Sequence, residues 1–200
     1  MTLDVDVKNI LDDLTNKFLE IFNITIIADS VNKELTKSYD KGLENAEISF
    51  DMNFSRNNRR LDFLKKYSFD NIKGLNEDAA DKLRSELQRA MLNLESVEQM
   101  KKRVQKVIDT SVDRARAIAR TELNRAENMG HLDGARQSGL VLKKRWDAHL
   151  DNRTSPVCRA LDGKTIPLNA KFKWEGQEFD APPAHVQCRS TLLFIQEDEK

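Results

Sequence analysis

Up to Gly139 apolar residues recur every three to four positions, the spacing of helices that bury one face. Val7, Ile10, Leu11, Leu14, Phe18, Ile21 and Phe22 mark a first helix, and a second is predicted over about 30–47. "FSRNNRRLDFL" (54–64) reads as a break followed by a short helix. Asn76 precedes "EDAADKLRSELQRAML", whose acids fall in a first turn where the helix dipole favours negative charge. Ser96 and Gln99 form a capping-box pattern before "VEQMKKRVQKVI". Ser111 is placed to cap one more helix, 111–138, which stops at Ser138-Gly139. Val112, Ala115, Ala119, Leu123, Ala126 and Met129 form a narrow, small-residue stripe on it, the pattern of close helix packing.

After Gly139 the period changes. "LVLKKRWDAHL", "KTIPL", "KFKWEG" and "STLLFIQ" are strand candidates separated by Gly, Pro and Asp. Leu140, Leu142 and Trp146 point to one buried face, and Asp162-Gly163 reads as a hairpin turn. The fold class is therefore α+β: an extended, mainly helical N-terminal part, then a small module with short antiparallel strands. The expected division is a helical docking arm over 1–109 and a module over 110–200. The module combines the helix 111–138 with a β-rich unit, 140–196.

Composition sharpens that division. All four prolines follow residue 155 and all three histidines follow residue 130. Charged residues make up 33% of the chain, net charge is zero and mean hydropathy is -0.63, which suits much exposed helical surface. No apolar run approaches a membrane span, and the acidic, amphipathic start does not read as a secretory signal, so a reducing, intracellular site of synthesis is expected. The zero net charge hides a gradient. Residues 1–50 hold ten acids against five lysines, whereas 101–125 hold eight Lys/Arg against three acids. Such polarity fits a docking protein at least as well as a nucleic-acid binder. For the latter, Arg114, Arg116 and Arg120 are the candidate phosphate contacts.

Chemistry concentrates in two loops. Cys158 lies in "DNRTSPVC", and His185 and Cys188 lie in "PPAHVQCRS", giving C-x26-H-x2-C. These are zinc ligands by type, but a structural site takes four, and His149, Asp151, Asp162 or water could complete it. Two other readings stand beside zinc: a Cys158–Cys188 disulfide, or two unlinked thiols packed beside a hydrogen-bonded histidine. For catalysis, either thiol could pair with His185, or His149, Asp151 and His185 could converge as a metal-dependent hydrolase. Neither arrangement carries an orienting partner, and the chain is read as a non-enzyme.

"ARTELNRAENMG", a tryptophan near "LDNRTSPVC", "ALDGK" and "PPAHVQCRS" follow one another in an order that resembles the C-terminal domain of the phage Mu F-like head morphogenesis family, over roughly 110–195. The family's loops often read D-x-R-T-C-P-x-C and P-x-H-P-x-C-R-C. This chain has Ser155, Val186 and Ser190 at three of those positions. The resemblance leaves Cys158, His185 and Cys188 as the matching ligands for zinc. Trp146, Asp151, Arg153, Asp162, Gly163 and Arg189 are the residues expected to brace the same loops. It implies a minor head protein of a tailed virus, made in the host cytoplasm and carried in the virion. Its expected partners are the portal protein and inner capsid, with weak contact to viral DNA, and with neither a membrane nor a small-molecule substrate. The expected role is to assist head assembly and DNA packaging or delivery.

Overall fold

The computed structural model describes residues 24–196 together with Asn16, so the apolar helix expected over 7–22 lies outside the described residues except for that one position. The order of elements is α1 (Ile24–Phe50), α2 (Asn58–Leu92), α3 (Val97–Gln137), β1 (Leu142–Asp147), α4 (Pro156–Leu161), β2 (Thr165–Pro167), β3 (Phe172–Trp174), β4 (Gln177–Phe179) and β5 (Thr191–Gln196). The class is α+β, as the period change indicated. None of the described helices is long and apolar enough to cross a membrane.

The helices are longer than their sequence punctuation suggests. α2 runs unbroken through Asn76, and α3 runs unbroken through Ser111. Neither residue caps a helix. The buried Ser111 hydroxyl instead donates to the Val107 carbonyl at 2.8 Å, the back-bonding open to a serine inside a helix. Both sites sit in apolar patterns that continue on each side, and propagating a helix costs less than nucleating a new one. The signals at Ser96 and Gly139 do hold. Ser96 N–H donates to Gln99 Oε1 at 2.8 Å while Gln99 N–H reaches Ser96 Oγ at 3.3 Å, and Gly139 takes the left-handed φ of +69° that ends α3.

The chain packs as two compact units that are discontinuous in sequence. One contains Tyr67–Ala117 and the start of α1 up to Ser30; the other joins Val31–Lys66 to the described residues from Ile118 to Gln196. Each unit thus takes part of α2 and part of α3. The sequence reading placed its division near 110 and left the whole of α1 in the arm. Burial accounts for the difference, because Leu35 and Tyr39 of α1 pack with Leu61, Leu64 and Ala126.

In the Tyr67–Ala117 unit, α2 and α3 form a helical hairpin across the turn 93–96. Ala79, Leu83 and Leu87 meet Val107, with Met91, Met100, Val104 and Ile108 at the margins. In the second unit, α1 and the end of α3 approach through a seam of small residues. A side-chain carbon on Gly130 would overlap the Tyr39 carbonyl, and one on Gly42 would overlap that of Glu127. The expected stripe on α3 therefore continues into Gly130 and Gly134, with Ala126 fully buried.

The same unit carries a three-stranded antiparallel sheet in the order β2-β1-β5, plus the β3–β4 hairpin. Trp146 pairs with Leu192, and Lys144 pairs with Phe194 and Ile166. Leu142, Lys144 and Trp146 are buried in alternation, so the predicted inward face contains a lysine. Around Trp146 pack Leu132, Val157, Leu161, Phe172 and Leu192, with the Phe172 ring edge-on at 5.2 Å. Asp162-Gly163 is not a hairpin turn. Asp162 ends α4, and Gly163 (φ +72°) turns the chain into β2 while its N–H donates to the Trp146 carbonyl at 2.8 Å.

Candidate functional site

α4 is short, and its start is fixed by local chemistry. Ser155 caps it by accepting the Cys158 N–H, and Pro156 occupies the first turn, where a missing N–H costs nothing. This places Cys158 on the first turn with its thiol turned inward. The second loop is a tight turn in which Cys188 N–H donates to the His185 carbonyl at 3.2 Å, with Gln187 at φ +60°. α3 holds that loop in place. Gln187 N–H donates to Thr121 Oγ1 at 2.8 Å, Asn124 and Asn128 donate to the Ser190 carbonyl, and Leu192 N–H donates to Asn128 Oδ1.

The two loops meet. Cys158 Sγ lies 3.1 Å from His185 Nε2 and 3.5 Å from Cys188 Sγ, and the three ligand atoms lie within 4.8 Å of one another. Both cysteines are free and buried, so the thiols are not joined as a disulfide. His185 Nδ1 lies 2.8 Å from the Val186 carbonyl, which can only accept. That nitrogen therefore carries the proton, and Nε2 presents its lone pair to the thiols. The hydrogen bond between the two sulfurs, and then burial, push the Cys158 thiol up. The same bond holds Cys188 below the usual thiol range, helped by the Ser190 side chain and by backbone hydrogen bonds with Ser190 and Ala184.

Two thiols, one of them easily ionised, and an imidazole with a free lone pair fit three corners of a zinc tetrahedron. The fourth corner has a candidate of its own. Ser190 is buried, and its side chain bonds toward both sulfurs from the position where the family pattern has a cysteine.

Asp151 organises the outer side. Arg189 reaches its Oδ1 at 2.7 Å, Arg153 donates to it through the backbone, and Arg153 Nε lies 3.8 Å from Oδ2. Arg189, first among these partners, keeps the Asp151 carboxyl far below its usual range. The expected braces therefore fall into two groups: Asp151 with Arg153 and Arg189, and Trp146 with Asp162 and Gly163. Asp162 Oδ1 accepts the Ala148 N–H at 2.9 Å. His185 belongs to neither, since its two nitrogens face Cys158 and the Val186 carbonyl. His149 lies 4.0 Å from Asp151, and among the described residues the group that could hold a metal is Cys158, His185 and Cys188. The hydrolase trio is not brought together.

The three arginines also part company. Arg114 pairs with Asp78 at 2.9 Å and Arg116 with Asp113 at 3.1 Å, within the hairpin unit. Arg120 belongs to the other unit and is exposed.

One cluster escaped the sequence reading. Lys144 is fully buried, and its Nζ donates to both the side chain and the carbonyl of Asp180 at 2.7 Å, over the Phe172 ring. Arg136 grips the same carboxylate with two bonds of 3.0 Å. Burial pulls the Lys144 pKa down, and the cations draw Asp180 down despite its own burial. The available signal was a lysine in register between Leu142 and Trp146.

This chain is 32% identical over 114 residues to Minor head protein GP7 of Bacillus phage SPP1, which is 52% of this chain and 37% of that protein. It is 29% identical over 96 residues to NAD(+)--arginine ADP-ribosyltransferase EFV of Enterococcus faecalis (strain ATCC 700802 / V583), which is 44% of this chain and 20% of that protein. The matches thus span about a third and a fifth of those curated relatives. No solved structure matches the chain. Residues 81–193, more than half of the chain, match the family described as Phage Mu protein F like protein, and the chain belongs to that family.

Proposed function

We propose that this chain is a structural minor head protein of a tailed virus, placed at the portal vertex or inner capsid, where it assists head assembly and DNA packaging or delivery. The observations that carry this reading are the 32% identity to a minor head protein over 114 residues and the family match over residues 81–193, which contain the braced loops. The test is co-sedimentation of the purified chain with portal rings or procapsids of the same virus. Retention on either supports the reading, and a chain that stays in the supernatant with both overturns it.

Zinc at Cys158, His185 and Cys188, with Ser190 or water as the fourth ligand, is the proposed brace. A structural zinc contributes folding free energy directly, on the order of 10 kcal/mol where all ligands are present and less with three. Elemental analysis of the full chain is expected to find about one zinc, lost in Cys158→Ser and His185→Ala. Ser190→Cys supplies a fourth thiolate and is expected to hold zinc at least tenfold more tightly against a chelator. Absence of metal from both the natural chain and Ser190→Cys after zinc is supplied rejects the proposal.

A further inference from the structure

Beside the Cys–His–Cys cluster, with His185 and Cys188 in its wall, lies an open groove of about 630 Å³. Arg120 and Asn124 of α3, Arg153 and Ser155 of the α4 entry loop, and Val186 and Arg189 of the last loop line it. Three guanidinium groups from three separate segments thus converge in one concavity. Among the described residues, Asp151 is their only carboxylate partner. It engages Arg189 at 2.7 Å and Arg153 more loosely at 3.8 Å, and Arg120 has no ion-pair partner among the described residues. The groove therefore keeps an excess of positive charge on rigid supports, since its loops are fixed by Thr121, Asn124, Asn128 and the cysteine cluster.

From this arrangement we infer that the groove is a phosphate-binding site that takes the backbone of a nucleic acid, with Arg120 and the loosely held Arg153 as its contacts and Arg189 fixed by Asp151. Planar guanidinium forks match phosphate oxygens, and amide groups such as that of Asn124 suit the same oxygens. No Phe, Tyr or Trp side chain lines the groove, and the His185 ring is engaged with Cys158 and the Val186 carbonyl, so stacked bases have no large aromatic platform there. Contact of this kind reads backbone and not sequence. Arg114 and Arg116, the other two candidates by sequence, are occupied by Asp78 and Asp113. The choice of duplex DNA as the polymer rests on the proposed reading of the chain as a head protein; the phosphate chemistry of the groove does not.

The test is anisotropy of a fluorescent duplex titrated with the full chain at several salt concentrations. Each neutralised phosphate contributes about 0.9 to the slope of log affinity against log salt. Arg120→Ala/Arg153→Ala is expected to lower that slope by about 2 and to weaken binding at least tenfold at low salt. Arg120→Lys/Arg153→Lys should keep most of the slope, and Arg114→Ala/Arg116→Ala should leave both slope and affinity near the natural values. Equal loss from the Arg114/Arg116 variant, or no loss from the Arg120/Arg153 variant, overturns the inference. So does the absence of duplex binding at low salt. Inorganic phosphate separates the sources: if it binds the groove as tightly as the duplex does, the site takes small anions and the polymer assignment fails. Co-sedimentation with portal rings is scored independently, so either reading can fail without the other.

Discussion

The two compact units are built on different terms. In the hairpin unit of Tyr67–Ala117, the contact between α2 and α3 depends on the kind of residue at each turn: Ala79, Leu83 and Leu87 against Val107. Its charged partners sit at the surface, as in Arg103 with Glu86 and Glu95. The other unit buries Tyr39, Glu122, Asn128, Asp133, Lys144 and Ser190, and its helices touch where only glycine fits. There particular atoms carry the structure. Apolar substitutions of similar volume should be tolerated in the hairpin, whereas single polar deletions should be costly in the module.

The largest expected effect comes from Asp180. Asp180→Ala leaves Lys144 buried without its counter-charge, and removing one partner of such a pair costs about 3–5 kcal/mol. Asp180→Ala combined with Lys144→Met removes both charges and should recover much of the loss. Both tryptophans, Trp146 and Trp174, belong to this unit, so urea unfolding followed by tryptophan fluorescence reports it selectively. A single variant as stable as the natural chain would show that the buried pair is not what holds β1 to the 172–180 segment.

Glycine gives the next contrast. Gly130→Ala drives a methyl group into the Tyr39 carbonyl, and overpacking of this kind costs about 3 kcal/mol. Gly74 lies in α2 within the hairpin unit with nothing within 4 Å of an added carbon. Gly74→Ala should therefore be neutral or stabilising by up to about 1 kcal/mol, because alanine is the better helix former. Helix content followed by circular dichroism through thermal unfolding checks the pair. Similar changes at both positions would erase the contrast.

What the sequence made legible follows the same divide. Where a signal is local it survived: the Ser96–Gln99 box, the Gly139 stop, and the strands around Trp146 and Phe172. The cysteine and histidine loops also meet, because their residue types and turn chemistry mark them. What was not legible depended on partners distant in the chain. Asn76 and Ser111 looked like helix starts until continuous burial carried the helices through them. The loop anchors Thr121, Asn124 and Asn128 look like ordinary helical polar residues until 185–192 lies against them. Lys144 is intelligible only with Asp180, 36 positions away.

The smallest of these effects concerns protons. His131 is mostly buried against the Phe194 ring at 4.6 Å, and its Nε2 is buried with no hydrogen-bond partner. Burial brings its pKa down to about 4 from 6.5, against the opposing pull of Glu127. The unfolded chain therefore takes up this proton before the folded chain does. Above about pH 6.5 neither state binds it and stability is unaffected; as pH falls toward 4 the folded state loses ground. The loss is about 2 kcal/mol at pH 5 and levels off near 3 kcal/mol below 4. All three histidines lie in the module, so the hairpin unit should show no matching change in this window. The carboxylates held down by cations, Asp151 and Asp180, lose their stabilisation only as pH falls below the ordinary carboxylate range, which separates their contribution from that of His131. His131→Phe keeps an aromatic edge toward Phe194 and removes the proton. Urea titrations of tryptophan fluorescence at pH 7 and pH 5 should then differ by about 2 kcal/mol less in the variant than in the natural chain. An unchanged difference would assign the acid sensitivity of the module to another group.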